Sequence, residues 1–186
     1  FFQENFDFKV DQGPYVLITG HRRENMGDGF DEIFGAIAEV ARKYPSISFV
    51  YPVHLNPKVK GPAHELLGEI SNVYLIEPLQ YEAFIYLLSN CHLLLTDSGG
   101  LQEEAPSLGK PVLVMRDVTE RPEALKAGTV KLVGCDRAKI IKNISQLLDD
   151  ETLYAVMASA ENPFGDGTSA TKIVQKLKEF FGDNER

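Results

Sequence analysis

Six short, continuously apolar runs recur along the chain, at residues 15–19, 47–53, 73–76, 92–96, 111–115 and 130–133. They are rich in Val, Ile and Leu and do not alternate with polar residues. A strand with one wet face would alternate. An unbroken apolar run is expected of a parallel strand covered on both faces. Helical patterns lie between the runs. In the first, Phe30, Ile33, Phe34, Ile37, Ala38 and Ala41 fall on one stripe, with Asp31, Glu32, Glu39, Arg42 and Lys43 outside it. Residues 81–90, 102–108 and 120–127 read as further helices, and only helices are expected after Val133: 138–148, 151–160 and 169–181. Strand and helix alternating in this way predict an α/β, doubly wound Rossmann-like parallel sheet.

In such sheets ligands bind beyond the carboxyl ends of the strands. His21, the stretch from Asp97 to Gly100, and the stretch from Arg116 to Arg121 all fall at those ends. The Ser98-Gly99-Gly100 turn between a strand and a helix is suited to an anion. Two glycines let backbone N–H groups approach a phosphate, and the Ser98 hydroxyl can add a donor. Glu103 or Glu104, just behind the turn, is placed to accept hydrogen bonds from a ribose. Carboxylates in a first helical turn are also favoured by the helix dipole alone, so position does not choose between them. His21, followed by Arg22, Arg23 and Glu24, suits a diphosphate, although an exposed loop histidine fits the spacing equally well. Arg116, Asp117, Glu120 and Arg121 read, on composition, as a surface salt-bridge cluster. Phe84 opens a helix and reads as core.

Net charge is −8, with 27 acidic against 19 basic side chains and no long basic run. That argues against a nucleic-acid or anionic-membrane surface. Cys91 and Cys135 lack CxxC or Cys/His spacing and are expected to be free thiols in a reducing, cytoplasmic setting. His54 has no partner at metal-ligand spacing. No apolar run approaches membrane-spanning length.

The string DSGGLQEEAPSLGKPVLVMRDVTERPEA, residues 97–124, resembles the signature of the non-hydrolysing UDP-N-acetylglucosamine 2-epimerases. ITGHRREN at 18–25, YPVHLNP at 51–57 and NPFGDG at 162–167 are similar to blocks of the same family, in the same order. That family is built as two Rossmann-like domains with the active site in the cleft between them. The matching blocks correspond to the C-terminal, nucleotide-binding half of this glycosyltransferase-B-type architecture. The resemblance divides the chain into a connector at 1–12 that begins mid-protein, a UDP-binding domain at 13–161 and a C-terminal crossover segment at 162–186.

The resemblance also implies roles. Ser98, Gly99 and Gly100 would hold phosphate, Glu104 the ribose and Phe84 the uracil face, with Arg121 lining the cleft. Glu103 is left for capping or surface duty. His21 would contact the diphosphate and stabilise charge as UDP departs. Arg22 and His54 would help hold a second UDP-N-acetylglucosamine molecule as an allosteric activator. The chain departs from the family where a glutamine often precedes the uracil helix: Leu79 stands there, with Gln80 one position later. The implied chemistry uses neither metal nor nicotinamide cofactor, and its proton-transferring carboxylates belong to an N-terminal domain outside these blocks. The complete enzyme would be a homodimer acting on UDP and UDP-N-acetylhexosamines, and this chain alone would be inactive. Two other readings stand beside it. One is the donor domain of a nucleotide-sugar glycosyltransferase, against which the HRREN and TERPEA blocks count. The other is a non-catalytic UDP-sugar-binding module.

Overall fold

All six apolar runs are strands of one parallel sheet: β1 (Tyr15–Thr19), β2 (Ser48–Pro52), β3 (Val73–Ile76), β4 (Leu93–Thr96), β5 (Val112–Val114) and β6 (Val130–Leu132). The computed structural model describes residues 13–182. The connector expected at 1–12 and the last four residues of the C-terminal segment lie outside it. The strand order is β3-β2-β1-β4-β5-β6, so the direction of winding reverses between β1 and β4. Register pairs Thr19 with Thr96 at the carboxyl ends of those two strands.

The helices are α1 (Asp28–Lys43), α2 (Pro57–Leu67), α3 (Tyr81–Asn90), α4 (Leu101–Ser107), α5 (Pro122–Ala127), α6 (Arg137–Asp149), α7 (Glu151–Ala158) and α8 (Ser169–Phe181). Successive strand side chains point to opposite faces, and both faces are covered. Val16, Ile18, Phe49, Tyr51, Leu93 and Leu95 pack with the apolar stripes of α1, α2 and α6. Tyr15, Leu17, Val50, Leu94, Val112 and Val114 pack with Leu87 and Leu88 of α3, Ala105 of α4 and Ala124 of α5. Two-sided burial accounts for the lack of alternation in the strands. Cys91 is buried and Cys135 half-buried, and both are free thiols. No described helix is long and apolar enough to cross a membrane.

One element departs from the sequence expectation. The stretch between the second and third strands contains Pro57, Gly61, Pro62 and Gly68, and no helix was expected there, yet α2 fills it. Pro57 occupies the first turn, where a backbone N–H has no intrahelical partner to lose. Asn56 caps that turn by accepting the Lys58 N–H at 3.0 Å. Pro62 inside the helix costs ~3 kcal/mol. Val59, Ala63 and Leu67, spaced at four residues, are completely buried. Burying the two larger side chains contributes about 2 kcal/mol each, enough to offset the proline. The apolar spacing was the available signal, hidden among helix breakers.

Asn72, just before β3, fastens the far end of this layer. Its Nδ2 donates to the carbonyls of Ala41 at 2.9 Å, Tyr44 at 3.1 Å and Ile47 at 2.8 Å, joining the end of α1 to the entry of β2. Asn72→Ala should destabilise the fold by about 1–3 kcal/mol. Asn72→Asp should cost more, because a carboxylate would then face three carbonyl oxygens. Thermal melts rank the two variants, and equal midpoints would contradict this role.

Candidate functional site

Because β1 and β4 are neighbours whose following chains diverge to opposite faces, a cleft opens at their carboxyl ends. The buried side chain at the centre of the contacts between its two sides is Asp97, directly after β4. Its carboxylate is fully buried. Oδ2 accepts the backbone N–H of His21 at 2.9 Å and of Arg22 at 2.8 Å, and the Asn25 side-chain amide at 3.4 Å. Oδ1 has no hydrogen-bond partner among the described residues and lies 3.6 Å from His21 Nδ1. The His21 ring is half exposed and stacks on His54, with centroids 5.3 Å apart and planes inclined by 12°. His21, Arg22, Arg23, Glu24, Met26, His54 and Asn56 line a cavity of about 480 Å³. A larger concavity, about 690 Å³, is only the open side of α8 and gathers no convergent polar groups from other elements.

The Ser98-Gly99-Gly100 turn follows on the β4 side. Ser98 is only partly available, since its N–H donates to Thr96 Oγ1 at 3.0 Å. The N–H groups of Gly99, Gly100 and Leu101 have no acceptor among the described residues. Neither Gly99 nor Gly100 has a positive φ, and Gly100 is in the right-handed helical region. A Cβ at Gly99 would meet nothing nearer than Arg22 Nη2 at 3.7 Å and Glu120 Oε2 at 4.0 Å. At Gly100 the nearest atom would be Glu104 Oε1 at 3.9 Å. Thus neither backbone geometry nor packing demands glycine at these positions. What glycine leaves is an open approach to the N–H groups.

Charged groups ring this turn. Arg116, expected on the surface, is in fact 7% exposed. It grips Glu120 through two bonds, 2.5 and 2.9 Å, and Glu24 through Nε at 3.0 Å. Those Arg116 bonds, followed by Glu120's own backbone N–H, pull the Glu120 carboxyl down to about 2. Glu120 therefore remains an anion at neutral pH, with Arg22 Nη1 3.8 Å from Oε1. Arg121 pairs with Glu103, so Glu103 is the arginine's anchor rather than a cap. The adjacent Glu104 has no ion-pair partner among the described residues and stands beside Gly100. Gln102, wholly buried, ties the 116–121 loop to the turn, accepting from Thr119 Oγ1 at 2.5 Å and donating to the Ser98 carbonyl at 3.1 Å.

The structure thus brings together His21, Arg22 and His54 on one side of the cleft, and Ser98, Gly99, Gly100, Glu104 and Arg121 on the other. Phe84 is in the first turn of α3, half-buried against the layer that also holds Leu79, Leu101 and Phe164. Arg22, matched by resemblance to a second ligand, stands over Gly99 as well as lining the His54 cavity. Sequence reasoning missed Asp97 and Asn25 as organisers of the site. An acid at the end of a buried apolar run was the available signal. Among the described residues, no group of three or more His, Cys, Asp or Glu side chains is arranged to hold a metal ion.

Residues 2–178 match the family model described as UDP-N-acetylglucosamine 2-epimerase. The UDP-N-acetylglucosamine 2-epimerase of Escherichia coli is 52% identical over 94% of this chain and 46% of its own length. A crystal structure of UDP-GlcNAc 2-epimerase from Neisseria meningitidis bound to UDP-GlcNAc superposes with a TM-score of 0.90 at 52% identity, covering 96% of this chain and 48% of that one. MnaA of S. aureus, in a co-structure with UDP, gives a TM-score of 0.88 at 41% identity over 96% of this chain and 50% of its own. The chain spans about half the length of the relatives it matches. With the family model matching nearly from end to end, the chain belongs to the UDP-N-acetylglucosamine 2-epimerase family.

Proposed function

We propose that this chain is the UDP-holding half of an enzyme that interconverts UDP-N-acetylglucosamine and UDP-N-acetylmannosamine. The observation that carries the reading is the glycine pair. Gly99 and Gly100 serve neither a strained backbone nor a tight contact, yet they leave three N–H groups open beside Arg22 at the switch point of the sheet. That combination suits a diphosphate. Glu104 accepts the ribose hydroxyls, Ser98 adds a hydroxyl to the phosphates and Phe84 offers its ring to the uracil. Arg121, pinned by Glu103, closes the rim. The known binding of UDP-GlcNAc by the Neisseria enzyme and of UDP by MnaA supports the choice of nucleotide.

The reaction is a β-elimination followed by re-addition. A base removes the C2 proton, the C1–O bond breaks and UDP leaves with the bonding pair. A C1=C2 double bond remains in the sugar. UDP then adds back at C1 while a proton reaches C2 from the opposite face. No net oxidation occurs, so the sequence of steps requires no hydride carrier. Charge grows on the UDP oxygen as it departs, and His21 with Arg22 is positioned to stabilise it. The C2 base is assigned to a second domain. Here Glu24 and Glu120 are committed to Arg116, and Glu103 to Arg121. An exposed apolar face on α8, with Ile173, Val174, Leu177 and Phe180 each at least half exposed, supports such a domain as its cover. Arg22 and His54 would add contacts to a second nucleotide-sugar in the adjoining cavity.

Calorimetric titration with UDP tests the binding assignments. Gly99→Ala should keep the melting behaviour of the parent within about 1 kcal/mol while weakening UDP about tenfold or more. Glu104→Ala should weaken it by about tenfold to a hundredfold, the loss of a charge-assisted hydrogen bond. Glu103→Ala should cost less, because it frees Arg121 without removing a ribose acceptor. UDP affinity unchanged by Gly99→Ala and Glu104→Ala would refute the reading.

Division of labour is tested separately. Incubated with UDP-N-acetylglucosamine in deuterated water, the chain should leave C2 unlabelled, since proton abstraction needs a positioned base. Deuterium at C2 would show that the base lies within this half.

A further inference from the structure

Asp97 has an arrangement that binding alone does not require. A carboxylate without solvent contact is costly unless donors converge on it. Here the donors converge on one oxygen only. Oδ2 takes His21 N–H, Arg22 N–H and the Asn25 amide, whereas Oδ1 is buried, unpartnered and 3.6 Å from His21 Nδ1. The distance is just beyond a direct hydrogen bond, and such contacts tighten when a ligand arrives. The backbone bonds fix the carboxylate's plane, so Oδ1 cannot turn elsewhere without breaking them. Other charged or titratable groups facing the ring are His54, stacked against it from the end of β2, and Arg22, Arg23 and Glu24 from its own turn. None of these four makes a hydrogen bond to Nδ1, which has Asp97 Oδ1 as its neighbour.

We infer that Asp97 is the positioning residue of His21: its Oδ1 accepts a hydrogen bond from Nδ1–H, which fixes the tautomer and leaves Nε2 as the ring atom that faces the diphosphate and shares a proton with it. The diphosphate part rests on the nucleotide reading above; the tautomer part does not. One carboxylate does two jobs through two oxygens. Oδ2 shapes the turn that carries His21 and Arg22, and Oδ1 sets the proton on the imidazole. The same logic operates wherever a buried carboxylate orients a working histidine.

Asp97→Asn separates the two jobs. The three N–H donors still demand an oxygen at the Oδ2 position, which forces the new amide nitrogen toward His21 Nδ1. That nitrogen donates, so Nδ1 must become the acceptor and the proton must move to Nε2. The turn is kept and the tautomer inverts. Imidazole proton–nitrogen correlation spectra of the chain resolve this, with only four histidines to assign. His21 should be the Nδ1–H tautomer in the parent and the Nε2–H tautomer in Asp97→Asn, with the backbone amide signals of His21 and Arg22 retained in both. The same tautomer distribution in both proteins would overturn the proposal. If the turn signals are lost in Asp97→Asn, the parent spectrum decides alone: Nε2–H dominance there overturns it and Nδ1–H dominance sustains it. Adding UDP to the parent should move the Nε2 resonance far more than Nδ1. Equal movement would show Nδ1 open to ligand and count against the proposal. Absence of any response to UDP, with no heat of binding, would instead remove the nucleotide reading and leave the tautomer result to decide the role of Asp97.

Discussion

A buried carboxylate at the point where two strands part is the constraint on which the site depends. The Asp97 carboxylate is shut off from solvent, so backbone N–H groups from the chain leaving β1 take the place of hydration. This requirement holds the His21–Arg22 turn against the end of β4 and places histidine, arginine and glycine turn on one cleft. Thr19 and Thr96, hydroxyl to hydroxyl at 2.6 Å, close the seam just below. Thr96 Oγ1 also accepts the Ser98 N–H at 3.0 Å, so the glycine turn is set from the same place.

Charge is organised around that seam in two tiers. Arg116 is buried and pays for its burial with three bonds to Glu120 and Glu24. Arg22 and Arg121 are more open, Arg22 leaning on Glu120 and Arg121 on Glu103.

Much of this was legible in the residues. Unbroken Val, Ile and Leu runs identified parallel strands because two-sided burial removes alternation, and six of six runs became strands. That the glycine turn and His21 share one cleft was legible because each directly follows a strand's carboxyl end. Three things were not. The helix Pro57–Leu67 was hidden by two prolines, of which the interior Pro62 carries a local cost that tertiary burial offsets. Burial of Arg116 was hidden because a cluster of four charged residues looks the same on the surface as beneath a loop. Asp97 carries no pattern of its own; its partners at 21, 22 and 25 lie far away in sequence, and only the β1–β4 pairing brings them together.

The central claim is that UDP sits at the β1–β4 switch point with its phosphates on the open N–H groups. Mapping backbone amide shifts during a UDP titration tests this most directly. The largest changes should fall on Gly99, Gly100 and Leu101, followed by His21 and Arg22, with α6 and α7 silent. Changes centred elsewhere, with the Gly99–Leu101 amides unmoved at saturation, would contradict the account.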